Sequence, residues 1–342
     1  MGHAQVELGH YAQARRTLHA GVDYAEESGE SHYLAKLLNT LGFLHQELGD
    51  AESALHWDKQ ALAACRRAGV DRNWEAECYT LLNLASDELL VGRIQTASAY
   101  RQEVEVILEH VQMSRYRVLN RYHLVCAELA LAYGDVDAAL QFTAEAASLA
   151  QAKGMTKNIA KSKLLEGQAL LHLSRLHEAT QHLEQAVALA DGIQHGSLRW
   201  KTRLRLAEAQ ALLERPNAEL FRQALDLVAR IAGSLDDEGL RAAFLISPLV
   251  VELKSNARSP VTVTEASSPA AAPPTGFPAG LSAREIEVLR LVSQGATNRQ
   301  IAATLVISVK TVNAHITHIL NKIGCDNRTA ATTFAIQHGL LE

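Results

Sequence analysis

The chain has 342 residues, 48% of them hydrophobic but only 5% aromatic, and a net charge of −5. That length exceeds one ordinary compact domain, and a composition rich in Ala and Leu favours helices over strands. No apolar run approaches the ~18 residues of a membrane span, and the opening MGHAQVELGHYAQARR lacks the apolar core of a signal peptide. Val6 stands where N-myristoylation requires Ser or Thr, so membrane and secreted readings fall away. The four cysteines (Cys65, Cys78, Cys126, Cys325) have no metal-ligand or redox spacing. A reducing cytoplasm without a disulfide scaffold is expected.

Over residues 1–254 small residues recur at an interval of about 40. Gly9, Gly49, Gly92, Gly134, Ser174 and Arg215 are 40, 43, 42, 40 and 41 residues apart. Ala14, Ala54, Ala97, Ala139 and Ala179 follow five residues after the first five markers, and Leu220 after the sixth. A glycine makes positive φ cheap at a tight turn, and a small alanine lets two helices approach closely. Between markers apolar residues fall at helical spacing, as in Leu37, Leu38, Leu41, Leu44 and Leu48. Each unit therefore reads as two helices and a turn, unable to bury its face alone and stacked on its neighbours. About six pairs are expected, the first incomplete and the last, broken by Arg215-Pro216, degenerate.

The pair Leu41-Gly42, with His45, Gly49, Ala54 and Ala61, resembles the tetratricopeptide (TPR) family. His45 replaces that family's tyrosine, Trp57-Asp58 displaces the aromatic of its second helix, and the period exceeds its usual ~34 residues. Longer-period TPR-like arrays occur in large bacterial transcription regulators of the MalT-like kind. The resemblance implies a groove for a protein partner or a small effector, with Trp57, Trp74, Tyr79 and Trp200 serving as packing anchors or as its lining. Residues 1–8 supply only the end of a first helix. The chain is therefore expected to begin mid-unit, as the C-terminal part of a longer regulator or with its true start upstream.

Five of the seven prolines fall between Asn256 and Gly280, in a stretch almost without large apolar residues. Such a segment cannot bury enough surface to offset chain entropy, so 255–276 is expected to be a flexible tether. From Leu281 onward there are six basic residues against four acidic, whereas the preceding chain has 27 against 34. Contact with a polyanion is thus expected in the tail, residues 277–342.

That tail reads as four helices. Ser282-x-x-Glu285 is a capping box opening the first, which carries Ile286, Leu289 and Val292 on one side and stops at Gly295. Thr297-x-x-Gln300 opens a short second helix with Ile301, Ala302 and Leu305. Ser308 caps the third, about 309–323, whose buried stripe is Val312, Ile316, Ile319 and Ile323. Asp326 or Asn327 caps the fourth, which ends near Gly339. The second and third helices are joined by a few residues, which is helix-turn-helix geometry.

Leu281, Arg284, Glu285, Gly295, Asn298, Ile301, Ala302, Thr311, Val312, Lys322, Arg328 and Thr329, in register with one another, identify the segment as similar to the LuxR-type DNA-binding domain. By position, Asn298 and Arg299 are expected on a phosphate at a helix N-terminus, with Lys310, Thr311 and Lys322 on phosphate along the third helix. Asn313, Ala314 and Thr317 are expected to face base edges in the major groove. Asn313 stands where the family commonly has Lys, and Arg299-Gln300 where Lys-Glu is commoner.

The resemblance implies duplex DNA as partner, a homodimer through the fourth helix on inverted half-sites, and RNA polymerase as a further contact. His315 and His318 lack a third metal ligand, and Cys325 reads as a small packed residue, so no metal or cofactor is expected. No GxxxxGK[ST] phosphate loop, phosphoacceptor pattern or nucleophile–base pair stands out, so an enzyme is not expected. The expectation is an all-α bacterial transcriptional regulator: a TPR-like solenoid, a linker and a helix-turn-helix domain. A TPR-type scaffold, or a C-terminal piece of a larger ATP-dependent regulator, stays open at this level.

Overall fold

The protein is described by a computed structural model over residues 1–67, 73–110, 116–258, 283–298, 300–301, 312, 316, 319–320, 323, 328–338 and 340. It divides into two compact units, Met1–Thr262 and Val263–Glu342, and among the described residues every regular element is helical.

The first unit is a chain of antiparallel helix pairs: α1 (Gly2–Glu7) with α2 (Tyr11–Ser28), α3 (Ser31–Glu47) with α4 (Ala51–Arg67), and α5 (Trp74–Leu90) with α6 (Ile94–His110). They are followed by α7 (Tyr116–Tyr133) with α8 (Val136–Ala152), α9 (Thr156–His172) with α10 (Leu176–Gly192), and α11 (Leu198–Leu212) with α12 (Ala218–Ser234). The odd-numbered helices touch one another in succession and form an inner layer, against which the even-numbered helices pack.

The 40-residue rhythm has its cause at the turns within the pairs. Gly9, Gly49, Gly92 and Gly134 adopt φ of 78°, 74°, 76° and 80°. After Gly49 the Asp50 N–H donates to the His45 carbonyl at 3.0 Å, which caps the end of α3. Ser174 adopts the same left-handed conformation at φ 57°, although it carries a side chain. At the sixth turn the sequence marker is displaced by one residue. The left-handed residue is Glu214, φ 57°, and not Arg215, whose N–H instead closes the turn onto the Gln210 carbonyl at 2.9 Å.

The alanines five residues on explain the close pairing: Ala14, Ala54, Ala97, Ala139 and Ala179 are all fully buried. Gly42 serves the same end, because the Asp58 carboxyl of α4 fills the place its Cβ would take. His45, in the position of the family's tyrosine, bonds Asp50 Oδ2 at 2.9 Å instead of packing an aromatic ring.

Past the sixth pair, α13 (Glu238–Ile246) and α14 (Pro248–Arg258) fold back on α12. The last turns of the array also meet the first. Gly196 N–H donates to the Glu7 carbonyl at 2.8 Å, and a Cβ on Gly196 would stand 2.5 Å from Gly9 Cα. The Ser197 hydroxyl donates to the Glu47 carboxylate, while Arg15 pairs with Asp237 at 3.2 Å. One hydrophobic core accordingly contains Val6, Tyr11 and Leu44 from the start of the chain and Trp200, Phe244 and Leu253 from the end of the unit. Helix α14 runs to Arg258; the remainder of the expected linker, 259–276, lies outside the described residues.

Candidate functional site

In the second unit the described residues build a small core. Helix α15 (Ala283–Ser293) buries Ile286, Val288, Leu289 and Val292. It stops at Gly295, φ 82°, where the Ala296 N–H reaches the Leu291 carbonyl at 3.1 Å. The next helix opens with the expected reciprocal cap. Gln300 Oε1 accepts from the Thr297 N–H at 2.8 Å, and Thr297 Oγ1 accepts from the Gln300 N–H at 3.3 Å. Two of the orphan N–H groups at that N-terminus are thereby satisfied within the box.

Ile301, Val312 and Ile319 are buried against α15, and Ile316 and Ile323 pack on the same core. Val312, Ile316, Ile319, Leu320 and Ile323 are each helical, so the apolar stripe expected for the third helix is found. The last helix, Arg328–Gln337, closes the core with Ala331 and Ala335. Arg290 Nε on α15 donates to the Leu340 carbonyl at 2.7 Å and ties the end of the chain down.

Of the expected DNA-binding residues, Asn298 alone lies among the described ones. It is helical, just inside the Thr297–Gln300 cap, and its Oδ1 accepts from Arg328 Nη1 at 2.8 Å. The other arm of the Arg328 guanidinium donates to the Ala296 carbonyl. Arg328 therefore grips both sides of the turn that starts the second helix. Arg299, Lys310, Thr311, Asn313, Ala314, Thr317 and Lys322 lie outside the described residues, as do Ala302, Ser308, His315, His318 and Cys325.

In the sequence Arg328 stands only as a match to the family pattern, with no partner indicated. One signal could have found it. A cation at the first position of a helix opposes the helix dipole, so its charge is better used on a partner outside that helix.

In the first unit, two cavities of about 330 and 430 Å³ are lined by the inner helices. Tyr79 lines the larger one, whereas Trp200 is a core residue, 1% exposed and edge-on to Phe244. Trp74 packs on a core and Trp57 stands edge-on to His19. Among the described residues no group of three His, Cys, Asp or Glu side chains could hold a metal ion. No described helix is long and apolar enough to cross a membrane.

Residues 279–335 match the family of bacterial regulatory proteins of the luxR type. The oxygen regulatory protein NreC of Staphylococcus aureus (strain JH9) is 45% identical over 62 residues, which make up 18% of this chain and 29% of that protein. The chain thus spans less than a third of the length of this relative. Among solved structures, BtubC from P. vanneervenii aligns with 77% of this chain and 97% of its own at 17% identity and a TM-score of 0.43. A STAND-type signal transduction ATPase with a tetratricopeptide repeat sensor from Pyrococcus horikoshii aligns with 95% of this chain and 51% of its own, at 12% identity and a TM-score of 0.43. The C-terminal unit carries a LuxR-family helix-turn-helix domain, and the unit before it is a TPR-like helical array.

Proposed function

We propose that this chain is a bacterial transcriptional regulator that reads a specific duplex sequence through its C-terminal domain, under the control of its helical array. The observation that carries this reading is the family match over 279–335, on a unit whose second helix opens with a completed cap and an anchored Asn298. In this reading residues 1–258, to the end of α14, are the sensing array, 259–276 the tether and 277–342 the DNA-binding domain, and the protein acts in the cytoplasm.

The third helix, about 309–323, enters the major groove. Val312, Ile316, Ile319 and Ile323 hold one face of it against the core. At 3.6 residues per turn the positions of Lys310, Asn313, Ala314 and Thr317 fall on the other face. Lys310, Thr311 and Lys322 then contact phosphate, as do Asn298 and Arg299 at the second helix N-terminus, with the two lysines and Arg299 supplying the neutralising charge. Asn313 reads adenine through its amide, and the methyl groups of Ala314 and Thr317 pack on thymine. Two copies, joined through the last helix, engage inverted half-sites about one helical turn apart and meet RNA polymerase there. The array supplies a groove for a protein partner or small effector, and catalysis has no part in the scheme.

The test is selection of the full chain on a randomised duplex pool, with sequencing of the bound fraction and anisotropy at several salt concentrations. Enrichment of an inverted repeat, with affinity falling steeply as salt rises, supports the reading. Salt-sensitive binding without any enriched sequence would sink it and leave a protein scaffold as the better account.

A further inference from the structure

The two cavities of the array differ in chemistry and share two side chains. The larger lies among the N-terminal halves of α3, α5, α7 and α9, where Asn39, Asn83 and Asn158 line it together with Lys36, Arg117 and Lys157. The smaller lies among the C-terminal halves of the same helices and is walled by Leu89, Leu131, Leu164, Leu165 and, from α11, Leu198. Arg121 and Lys161 line both. The interior is thus polar and basic at one end and aliphatic at the other, with a pair of cations at the junction.

Charge is unevenly answered there. The linings hold six cations: Lys36, Arg117, Arg121, Lys157, Lys161 and Lys201. The carboxylates at hand are Glu7, Glu47, Glu75 and Glu128; Asp58 and Asp87, bonded to the lining residues Asn39 and Gln46, are pushed by burial toward their neutral forms. Glu7 is taken by Lys157, and Glu128 stands 3.7 Å from Arg121 while it accepts the Ser86 hydroxyl. Glu47 stands 3.6 Å from Lys161 and already accepts from Ser197. This local excess of positive charge occurs in a chain that is net acidic.

Burial, opposed by Glu47 but reinforced by Lys157, Arg121 and Lys201, pulls the Lys161 ammonium down to about 8. A crowded, desolvated cation of this kind is stabilised by any anion that can reach it. The inner helices α3, α5, α7 and α9 also begin at the basic end, so the positive ends of their dipoles add to it. The combined volume is of the order that small-molecule sites occupy.

We propose that this cavity binds a small amphipathic anion, its single carboxylate or phosphate held between Arg121 and Lys161 and its aliphatic chain laid against Leu89, Leu131, Leu164 and Leu165. The proposal rests on the reading of the array as a sensor, and gives the effector a chemical class. Neither half of the ligand suffices alone: a bare anion leaves the leucine wall wet, and a neutral chain leaves the two cations without their extra partner.

Calorimetry on the full chain tests this with decanoate and decyl phosphate, each below its micellar concentration, and with acetate and decan-1-ol as half-ligands. The expected result is one site per chain for decanoate, decyl phosphate or both, with the two arms telling which headgroup the site takes. Acetate and decanol should each bind at least tenfold more weakly. Arg121→Gln and Lys161→Gln should each weaken the long-chain anion at least tenfold, and Leu164→Phe, which fills the aliphatic end without touching a charge, should do the same.

Each variant is first melted to establish that it folds. Decanol binding as tightly as decanoate, undiminished binding by all three folded variants, or no heat with either long-chain anion overturns the proposal. DNA affinity is measured separately. A ligand that binds as expected while DNA affinity stays unchanged keeps the site and removes the sensor reading on which it was built.

Discussion

Arg328 and Asn298, thirty residues apart, meet through a hydrogen bond of 2.8 Å between Nη1 and Oδ1. The same guanidinium holds the Ala296 carbonyl, so one side chain of the last helix fixes the turn that begins the second. Because the Asn298 oxygen is the accepting atom, the amide orientation is set by a residue that lies outside the helix-turn-helix itself.

Arg328→Ala should therefore cost about 1.5–3 kcal/mol of domain stability, the range for hydrogen bonds to a charged group. It should also weaken specific and random duplex about equally, since it disturbs a phosphate-side helix and no base reader. Denaturant melts and anisotropy on both duplexes check this; a loss confined to the specific sequence would contradict it.

On the proposed reading, Lys310→Ala weakens all DNA to a similar degree and reduces the salt slope by about one. Asn313→Ala instead loses about 1–3 kcal/mol on the preferred site alone. Equal losses on specific and random duplex from Asn313→Ala would remove it from the base-reading face.

A pH dependence is built into the array. Asp58 on α4 and Asp87 on α5 are both fully buried, and their carboxyls stand close enough for each to act on the other's charge. Burial pushes Asp87 up to about 7, and burial together with the charge of Asp87 pushes Asp58 well above the carboxylate range. Asn39 and Gln46 partner the pair at 2.9 and 2.6 Å. A carboxyl whose pKa is raised by folding contributes stability that is complete below its unfolded pKa and is lost as pH rises through the folded value. The melting temperature should thus fall between about pH 4 and 7, and Asp87→Asn should flatten that fall. A wild-type curve that rises over this range would refute the assignment.

The turns offer a paired test. Ser174 occupies the left-handed conformation that glycine adopts at Gly134. Ser174→Gly should stabilise the array by about 0.5–1 kcal/mol, the strain relieved less the added freedom of the unfolded chain. Gly134→Ser should lose a similar amount, as read from urea midpoints.

The seam between the two ends of the array is testable at Gly196. A methyl there would lie 2.5 Å from Gly9 Cα, which is backbone and cannot swing aside. Gly196→Ala should cost about 1–3 kcal/mol through overpacking and expose Trp200 to quenching by acrylamide. An unchanged melt and unchanged quenching would mean the ends are not held together in solution.

What the sequence by itself determined is what short-range chemistry writes. Left-handed turns need glycine, so Gly9, Gly49, Gly92 and Gly134 announced the pairs; closely packed helices need alanine, so Ala14 through Ala179 marked where they touch. Thr297-x-x-Gln300 spelled a cap that forms within four residues. The alternation of Val312, Ile316, Ile319 and Ile323 fixed which side of the third helix is buried.

The sixth marker failed by one residue because Glu214 and Arg215 carry no conformational signature of their own. Only the tertiary structure decided the rest, because it depends on residues far apart in the chain. That Gly196 lies on Gly9, that Glu47 meets Ser197 and Lys161, and that Arg121 and Lys161 stand at one junction follow from how far each pair rotates on the next. That rotation accumulates over the whole array from small packing differences at every interface, and no local motif encodes it.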